Sequence, residues 1–433
     1  MKTKALPGFR DFYPTDLALR AHIFQIWRTV ATRYGFEEYD GPPLEPLDLY
    51  TTKSGDEIVG QLYNFTDKGD RQVALRPEMT PSLARMVAAQ AGQLRKPIRW
   101  FSIPQLFRYE RQQRGRLREH FQLNCDLIGE PGPLADAEII ALAIDVMRAF
   151  GLGPGDVRVR ISDRRVLTAI LSHYGVQAAA MPKAFDFIDK VERLSQQQIE
   201  EFDSKTEVFV PATIPDLVRV SKIRGWEQLE RELGQSPELS RAGEPLQEAR
   251  RSLEGMGVGE FIEPDLAIVR GLAYYTGIVF ELFDAGRTLR AICGGGRYDN
   301  LLDALGGVQM PAVGFGMGDV VLGELLKDKG LLPGEASSID VFLAFITPGD
   351  LPHVLTLAHQ LRDAGLRVEY ALSVQAVGKQ LKLADARNAR VAVVIGPDER
   401  KRDEIMIKDL RSGSQESVSL KAIVNNIKAR IHG

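Results

Sequence analysis

Hydrophobic residues recur with helical spacing near the start of the chain and predict an amphipathic helix over residues 15–35 that ends at Gly35. The apolar positions that carry this pattern are Leu17, Ile23, Ile26, Trp27 and Val30. In the GPPLEPLDLY segment that follows, Pro42 and Pro43 favour an extended conformation over a helix interior. Residues 61–66 and 71–76 flank a polar DKGD segment, which predicts a β-hairpin, and helical character resumes over residues 80–94.

The middle of the chain alternates between strand and helix patterns. Residues 135–150 predict an apolar helix that ends at Gly151, and VRVRISD at 157–163 has the alternation of a strand. From about residue 165 to 255 the segments are helical and rich in charge, which predicts a mainly helical insertion. Strand patterns return at 266–283 and 287–293, before the glycine-rich strand PAVGFGMG leads into a helix.

The last quarter of the chain predicts a separate domain. GLLPGEASS at 330–338 has the composition of a linker. After it, strand and helix patterns alternate in a β-α-β-α-β series, followed by a hairpin and a final helix. This order predicts a small α/β domain over residues 339–433.

Composition narrows the class of protein. A chain of 433 residues, 44% hydrophobic and 26% charged, is an ordinary globular protein of two or three domains. It has no run of about eighteen apolar residues and no apolar signal core at its start, so we expect neither a membrane span nor export. Two cysteines, Cys125 and Cys293, and no Cys/His cluster with zinc spacing argue against disulfides and a structural metal and favour the cytoplasm. With a net charge of −3, any nucleic-acid contact must come from local basic patches.

Residues 107–130, FRYERQQRGRLREHFQLNCDLIGE, are the most informative segment. Arg108 and Glu110 follow an apolar lead-in, a basic stretch runs to Arg118, and polar and apolar residues then alternate to Asp126. The pattern predicts two antiparallel strands joined by a long basic loop. Five arginines, at positions 108, 111, 114, 116 and 118, suit a polyanion such as a nucleoside triphosphate or an RNA end. Taken alone, the segment leaves a solvated charged hairpin open as the alternative.

This segment resembles motif 2 of class II aminoacyl-tRNA synthetases, in the form found in the histidyl-tRNA synthetase family. PGFRDFYP resembles the N-terminal signature of that family, and VRGLAYYTGIVFE at 269–281 and GGGRYDNLL at 294–302 resemble its two histidine-specific motifs. The resemblance runs from Gly8 to about Ile431. It implies an α+β fold, with an antiparallel-sheet catalytic core over residues 1–329 that contains the helical insertion, and a C-terminal α/β domain of the anticodon-binding type.

The resemblance also implies a reaction and its partners. The family activates histidine with ATP and Mg²⁺ to histidyl-adenylate and transfers it to the 3′ end of tRNA(His). We therefore expect a homodimeric enzyme, in which Pro42 or Pro43 matches the proline of the motif 1 dimer strand. A plain turn proline is the alternative at that position.

The transition state of activation gathers negative charge on the α-phosphate, so cation placement should supply much of the catalysis. Arg108 matches the family arginine that contacts the α-phosphate and the substrate carboxylate. Arg270 matches the arginine on the opposite side of that phosphate, and a buried structural ion pair is the alternative. Glu110 matches the residue at the adenine amino group, and Arg118 belongs to the loop that covers the triphosphate.

The expected histidine-binding residues come from three parts of the chain. Glu78 matches the family glutamate for the α-ammonium group, and Thr80 and Gln122 match its polar neighbours. At the imidazole, Asp126 matches a family glutamate and Tyr275 a family tyrosine, whereas Tyr274 is also compatible with simple packing. The resemblance further implies that residues 294–297, including Gly295, form a loop that closes over the substrate.

Three positions depart from the family pattern. Motif 3 should end in Gly-x-Glu-Arg, but Val321 stands in place of the arginine, whose stacking on adenine is worth about 1–2 kcal/mol. Ala273 replaces the usual aspartate, and Asp126 is one methylene shorter than the usual glutamate.

These departures keep other functions open. One is a non-charging paralogue, such as the histidine-binding regulatory subunit of ATP phosphoribosyltransferase. Others are an adenylating enzyme with another acceptor and a synthetase for another amino acid. The retained C-terminal domain, Arg108, Glu110 and Arg270 favour an active synthetase.

Overall fold

The structure is a computed structural model with two compact units, Met1–Leu332 and Pro333–Gly433. It describes residues 4–51, 60–110, 115–191, 194–195, 197–199, 214–269, 274–333 and 339–432. Within these ranges, none of the helices combines the length and the apolar character needed to cross a lipid bilayer. Each unit has a hydrophobic core of its own.

Twelve strands are described in the first unit. In chain order they are β1 (Glu37–Glu38), β2 (Leu44–Pro46), β3 (Tyr63–Thr66), β4 (Gln72–Leu75), β5 (Ile98–Ser102), β6 (Gln105–Phe107), β7 (Glu119–Ile128), β8 (Val157–Asp163), β9 (Ile262–Pro264), β10 (Ile278–Asp284), β11 (Cys293–Arg297) and β12 (Ala312–Gly318). Nine of these form one sheet, in the order β1-β5-β7-β12-β11-β10-β8-β9 with β6 paired to β7. The outermost pairs, β1–β5 and β8–β9, are parallel, and the pairs between them are antiparallel. The predicted antiparallel-sheet core is therefore confirmed.

The remaining strands form a small antiparallel sheet of order β2-β4-β3. Its β3–β4 hairpin encloses the DKGD segment, as the sequence predicts. Asp67 closes the turn, because its carboxylate accepts hydrogen bonds from the backbone N–H groups of Gly69 and Arg71 at 2.8 and 3.0 Å.

The helices of the first unit lie between and beside these strands. In chain order they are α1 (Pro14–Arg33), α2 (Asp48–Thr51), α3 (Thr80–Gln90), α4 (Pro133–Ala149), α5 (Arg164–His173), α6 (Met181–Lys190), α7 (Ile214–Ser221), α8 (Trp226–Leu233), α9 (Pro237–Gly255), α10 (Leu301–Gly306) and α11 (Asp319–Asp328). The helices α5–α9 fall in the range predicted as a helical insertion. Both α1 and α4 begin with a proline, where its missing N–H is harmless, and are followed by Gly35 and Gly151 at φ +75° and +85°.

The large sheet has one face in the main hydrophobic core and one face that carries polar side chains. Along β7, Leu123, Cys125 and Leu127 join the core, together with Trp27 of α1 and most of α4. Successive strand residues point to opposite faces, so Gln122, Asn124 and Asp126 share the other face. We call this second face the site face.

Two stretches differ from the sequence prediction. Strand was expected over 266–283 and 287–293, whereas the strands observed are Ile278–Asp284 and Cys293–Arg297. Leu266 and Ala267 lie in a turn, because the Asp265 carboxylate accepts a hydrogen bond from the Ala267 backbone N–H at 3.0 Å. The expectation of a substrate-covering loop at residues 294–297 is wrong, since these residues form β11 between β10 and β12.

Arg297 fixes β11 to the core. Its guanidinium donates to the Asp136 carboxylate at 2.6 and 3.0 Å and to the carbonyl oxygens of Glu130 and Gly132 at 3.0 Å. Both charged side chains are almost completely buried, at 2% and 1% exposure. Burial raises the pKa of Asp136 to about 6, and the neighbouring Arg297 opposes that rise.

The second unit contains β13 (Val341–Phe345), α12 (Leu351–Asp363), β14 (Val368–Tyr370), α13 (Val377–Ala386), β15 (Val391–Ile395), α14 (Pro397–Arg402), β16 (Glu404–Asp409), β17 (Gln415–Ser419) and α15 (Ile423–His432). Its sheet has the order β14-β13-β15-β16-β17. The first three strands are parallel, and the others are antiparallel. The predicted β-α-β-α-β series with a hairpin and a final helix is confirmed.

We predict that Arg297→Gln lowers the free energy of unfolding by about 3–5 kcal/mol, because Asp136 would keep a buried charge without its cation. Urea denaturation measures this change. The matched double variant Arg297→Met with Asp136→Leu should lose less, since no buried charge remains unpaired. A single variant as stable as the parent protein would show that the ion pair does not hold β11.

Candidate active site

The site face owes its shape to the glycines of β12. Gly314 and Gly316 lie opposite Asp126 and Asn124 in the pairing of β12 with β7. A Cβ atom at Gly314 would lie 2.1 Å from the Asp126 carboxylate, and one at Gly316 would lie 2.6 Å from the Gln122 side chain. Only glycine therefore lets these two side chains of β7 lie across the neighbouring strand.

A cavity of about 650 Å³ opens on the site face. Three groups of residues line it: the motif 2 segment, the strands β10 and β11 with the turn that joins them, and the end of β12 with the start of α11. The lining residues are Arg108, Glu110, Gly115, Arg116, Leu117, His120, Gln122, Glu281, Phe283, Arg290, Ala291, Ile292, Cys293, Gly294, Gly316, Gly318, Val320 and Val321. Of the predicted site residues, the structure thus brings Arg108, Glu110 and Gln122 to one cavity.

Charged side chains enter this cavity from two directions. Arg108 is held by a hydrogen bond from its Nε to the Pro77 carbonyl oxygen at 2.8 Å. Arg116 pairs with Glu110 at 2.9 Å, and Glu110 is largely buried. Glu281 and Arg290 come from the β10–β11 side. The fixed arginines suit an anionic ligand, and the carboxylates limit the excess of positive charge.

His120 contributes a neutral ring to the cavity wall. Burial, assisted by the positive charges of Arg108 and Arg10, lowers the pKa of His120 to about 3. The imidazole is therefore uncharged at neutral pH and offers a flat surface with one donor and one acceptor. Sequence reasoning did not select this residue, although its alternation with Gln122 along β7 places both on the same face.

Arg118, predicted to bind ATP, is not among the residues that line the cavity. Its guanidinium lies 4.1 Å from the centre of the Tyr109 ring, and its stem packs over Gly8, where a Cβ atom would approach to 2.7 Å. The backbone of Arg118 donates to the Gly8 carbonyl oxygen at 3.0 Å. Arg118 therefore fastens the N-terminal segment to the motif 2 strand, and this explains the glycine of the PGFRDFYP signature, whose φ is +86°.

A second contact of the signature was also missed from the sequence. Arg10 donates to the carboxylates of Glu119 at 2.6 Å and Asp319 at 2.9 Å, and Asp319 also accepts the Phe121 backbone N–H at 2.9 Å. Asp319 belongs to the divergent motif 3, so this part of the motif is structural. The signal in the sequence that could have indicated this contact is the charged residue Asp319 at the first position of α11.

Val321, which stands in place of the motif 3 arginine, lies next to Gly115 of the motif 2 segment. A Cβ atom at Gly115 would lie 3.2 Å from the Val321 side chain and 4.0 Å from Cδ of Arg290. An arginine from the β10–β11 turn thus reaches the neighbourhood of Val321, and both side chains line the cavity.

The other predicted residues gather farther along the site face. Tyr298 donates a hydrogen bond from its hydroxyl to the Asp126 carboxylate at 2.5 Å, and Tyr274 donates one to Glu78 at 3.4 Å. The ring of Tyr274 lies 4.9 Å from that of Tyr275 and 5.8 Å from that of Tyr298, between ring centres. These five residues form a second group, which we call the tyrosine cluster.

Two further predicted residues, Thr80 and Gly295, lie outside both groups, and Arg270 lies outside the residues that the structure describes. Thr80 is the first residue of α3, two positions after Glu78. Gly295 pairs with Phe315 on the core side of the sheet, so Gly294 rather than Gly295 lines the cavity. Arg270 and Ala273 lie outside the described residues, as does part of the basic loop, residues 111–114.

The Asp126 carboxyl is poised to change its proton near neutrality. Burial raises the pKa of Asp126 to about 7, and the hydrogen bond from Tyr298 opposes the rise. The site face thus combines an arginine-lined cavity with a buried carboxyl among tyrosines. Chemically, the first suits phosphates and the second suits a small polar group with an N–H donor.

Comparison with known proteins gives independent matches. A sequence model described as histidyl-tRNA synthetase matches residues 8–318, and one described as anticodon binding domain matches residues 340–430. "Histidine--tRNA ligase" of Opitutus terrae is 44% identical over 96% of this chain and 95% of its own length. "Histidine--tRNA ligase, chloroplastic/mitochondrial" of Arabidopsis thaliana is 41% identical over 95% of this chain and 84% of its own. The crystal structure of histidyl-tRNA synthetase from Nostoc sp. PCC 7120 superimposes with a TM-score of 0.83 at 27% identity, covering 99% of this chain and 100% of that one.

We predict that Asp126→Asn stabilises the protein more at about pH 8 than at about pH 5. Between pH 3.8 and about 7 the folded state holds a proton that the unfolded chain has lost, so stability falls as pH rises through this window. Asparagine does not titrate, and the difference between the two pH values should be about 2–3 kcal/mol in urea denaturation. An effect of equal size at both pH values would contradict the raised pKa.

Proposed function

The chain belongs to the histidyl-tRNA synthetase family, and we propose that it joins histidine to tRNA(His) in two steps on the site face. In the first step, a carboxylate oxygen of histidine attacks the α-phosphorus of ATP, and the bond to the β-phosphate breaks to release pyrophosphate. In the second, a terminal ribose hydroxyl of the tRNA attacks the carbonyl carbon of histidyl-adenylate and AMP leaves. The observation that supports this most directly is that Gln122 of the cavity and Asp126 of the tyrosine cluster lie on the same face of β7.

In this proposal ATP occupies the 650 Å³ cavity. Arg108 contacts the α-phosphate, where its attachment to the Pro77 carbonyl oxygen aims the guanidinium in advance of binding. Glu110 contacts the adenine amino group. Arg118 has no place in this contact set, because it packs on Gly8 and Tyr109 outside the cavity. Arg270 faces the α-phosphate from the other side, on the strength of its match to the family motif.

We propose that Mg²⁺ arrives with the triphosphate. Among the described residues, no group of three or more His, Cys, Asp or Glu side chains could hold a metal ion by itself. Phosphate oxygens and water would therefore supply most of the ligands, as is usual for Mg²⁺, and Glu281 of the cavity wall is a carboxylate on the same face. The ion would neutralise the charge of the leaving pyrophosphate.

Histidine is proposed to lie beside the tyrosine cluster. Glu78 binds the α-ammonium group, with Thr80 and Gln122 as polar neighbours. Asp126 and Tyr275 contact the imidazole, and Tyr274 closes the pocket through its hydrogen bond to Glu78. Gly295 has no side chain and pairs with the core residue Phe315, so it would contribute only through its backbone. The arrangement directs the amino acid carboxylate from the cluster toward the cavity and Arg108.

The non-charging alternative lacks support from the relatives. Those at 38–44% identity over nearly the whole chain carry the name "Histidine--tRNA ligase". The cavity also retains Arg108, Glu110 and Arg116, which a protein that only senses histidine would not require.

We propose that Pro333–Gly433 binds the tRNA anticodon at the carboxyl ends of its parallel strands. Ile346 follows β13, and Leu372 and Val374 follow β14, with exposures of 47%, 91% and 64%. Adjacent parallel strands bring these apolar side chains to one edge of the sheet, where ligands of such sheets commonly bind. Lys379 lies in the first turn of α13, where the helix dipole disfavours a cation in the absence of a bound anion. Apolar side chains beside a cation suit the bases and phosphates of unpaired RNA.

A homodimer is proposed through the segment around Pro42 and Pro43. This segment leads into β2 of the small sheet. Leu44 and Phe65 of that sheet are apolar and exposed, at 38% and 49%, and a second copy of the chain could cover them.

We predict that histidine supports ATP–pyrophosphate exchange and that the other amino acids do not. Arg108→Ala should lower the exchange rate by about two to three powers of ten, because it removes a cation from the transition state. Arg118→Ala is the matched control from the same segment and should lower it by less than about tenfold, since Arg118 packs on Gly8 and Tyr109. Exchange with another amino acid, or with none, would contradict the proposed reaction.

We predict that replacing Leu372 and Val374 by serine raises the KM for tRNA about tenfold and leaves histidine-dependent exchange unchanged. The reason is the loss of apolar contacts to bases, each worth about 1–3 kcal/mol. Leu355→Ser is the matched control, because Leu355 is 43% exposed but lies within the helix α12 and not in a segment that directly follows a strand. Equal effects of both changes on aminoacylation would argue against this docking edge.

A further inference from the structure

Two buried hydroxyl groups near Asp126, those of Tyr39 and Ser102, lie close to each other. Neither Tyr39 Oη nor Ser102 Oγ has a hydrogen bond of normal geometry within the part of the chain that the structure describes. Leaving a buried hydroxyl unpaired is unfavourable, so each such group calls for an explanation. A core residue at either position could have been phenylalanine or alanine without that penalty.

Both groups belong to the neighbourhood of the tyrosine cluster. In the pairing of β5 with β7, Trp100 lies opposite Asp126, and Ser102 lies opposite Asn124. Since side chains of paired residues project to the same face, Ser102 shares the site face with Asp126. Tyr39 packs against the hydrophobic group that contains Tyr275 and Tyr298.

The Tyr39 side chain is held in one position. Its backbone N–H donates to the Phe101 carbonyl oxygen at 2.8 Å, which extends the β1–β5 pairing by one residue. Its ring lies against that of Trp100, with 5.4 Å between ring centres. A rigid ring holds its hydroxyl at a defined point, and that is what a selective contact requires.

The Asp126 carboxyl is close enough to Tyr39 to affect the pKa of the Tyr39 hydroxyl. Burial and the neighbouring Asp126 carboxyl raise the pKa of the Tyr39 hydroxyl well above its ordinary value, and the Ser102 hydroxyl opposes the rise, so the Tyr39 hydroxyl keeps its proton and remains a donor. Asp126 already receives the Tyr298 hydroxyl on one oxygen at 2.5 Å. The three groups therefore offer one carboxyl that accepts and a separate hydroxyl that donates.

We propose that the Tyr39 hydroxyl is a specificity-determining contact to the side chain of the bound amino acid, beside Asp126. The inference rests on the proposed histidine activation and deepens it. A neutral imidazole has one N–H donor and one acceptor nitrogen. Asp126 accepts from the donor, and Tyr39 donates to the acceptor, so Tyr275 contacts the imidazole by packing against the ring. An amino acid with an apolar side chain of similar size leaves both buried groups unpaired, and a site built in this way rejects it strongly.

The contact also accounts for the short side chain of Asp126. The carboxyl is recessed, with Asp126 only 4% exposed, and it already lies over Gly314, where a Cβ atom would be 2.1 Å from it. A ligand held by a carboxyl in that position needs a second contact from a residue of another element. Tyr39 follows β1, on the far side of β5 from β7, and its long side chain provides this second contact.

Tyr39→Phe tests the proposal because it removes the hydroxyl and keeps the ring. In ATP–pyrophosphate exchange, the KM for histidine should rise about tenfold, while the KM for ATP changes by less than about twofold. The variant should be at least as stable as the parent in urea denaturation, since an unpaired buried hydroxyl has been removed. A purely structural tyrosine would show the opposite pattern, with lower stability and an unchanged KM for histidine.

Tyr34→Phe is the matched control for the chemical change. The Tyr34 hydroxyl donates to Asp145 at 2.6 Å, on α4 at the core side of the sheet. Its removal should reduce stability and leave the KM for histidine unchanged. If Tyr34→Phe and Tyr39→Phe change that KM equally, the Tyr39 effect is not local and the proposal is overturned.

A double-variant cycle links Tyr39 to Asp126. If both groups hold one imidazole, the combined effect of Tyr39→Phe and Asp126→Asn on the KM for histidine should be smaller than the product of the single effects. Multiplicative effects would separate the two residues and overturn the shared contact. Absence of histidine-dependent exchange in the parent protein would contradict the proposed function, whereas normal exchange with an unchanged KM in Tyr39→Phe would overturn this inference alone.

Discussion

The site depends on one steric constraint, the absence of side chains at Gly314 and Gly316 on β12. Because these positions carry no Cβ, Asp126 and Gln122 can lie across the strand next to their own. The same opening continues at Gly294 of β11, which faces the cavity. A sheet with ordinary side chains at these positions would fill the site face and leave no room for a ligand.

The opposite face of the sheet supplies the rigidity that such an open surface lacks. Arg297 alternates with the glycines of β11 and buries its charge against Asp136 on α4. Arg10 joins Glu119 of β7 to Asp319 at the start of α11, and Arg118 packs over Gly8. Several residues of the family motifs therefore hold strands in place, and in the proposed function their neighbours on the site face are the residues that contact ligands.

Much of this architecture could be predicted from sequence, and the failures have physical causes. Alternation along VRVRISD gave the bounds of β8, and the apolar runs of the second unit gave its parallel strands, because both patterns follow directly from burial. The triple glycine of β11 was expected to form a loop because of its match to a family motif, and only its neighbours in the sheet show why glycine is needed there. Tyr39 could not be selected from sequence. Its hydroxyl is buried without a hydrogen bond of normal geometry among the described residues, and only the three-dimensional structure shows this.

In the proposed function, one face of the sheet holds ATP at the arginine-lined cavity and histidine at the tyrosine cluster. A crystal structure of the chain with histidine and a non-hydrolysable ATP analogue tests it most directly. We expect the imidazole within hydrogen-bond distance of Asp126 and Tyr39, and the α-phosphate within hydrogen-bond distance of Arg108. An imidazole bound elsewhere, or a nucleotide outside the cavity lined by Arg108, Glu110 and His120, would contradict it.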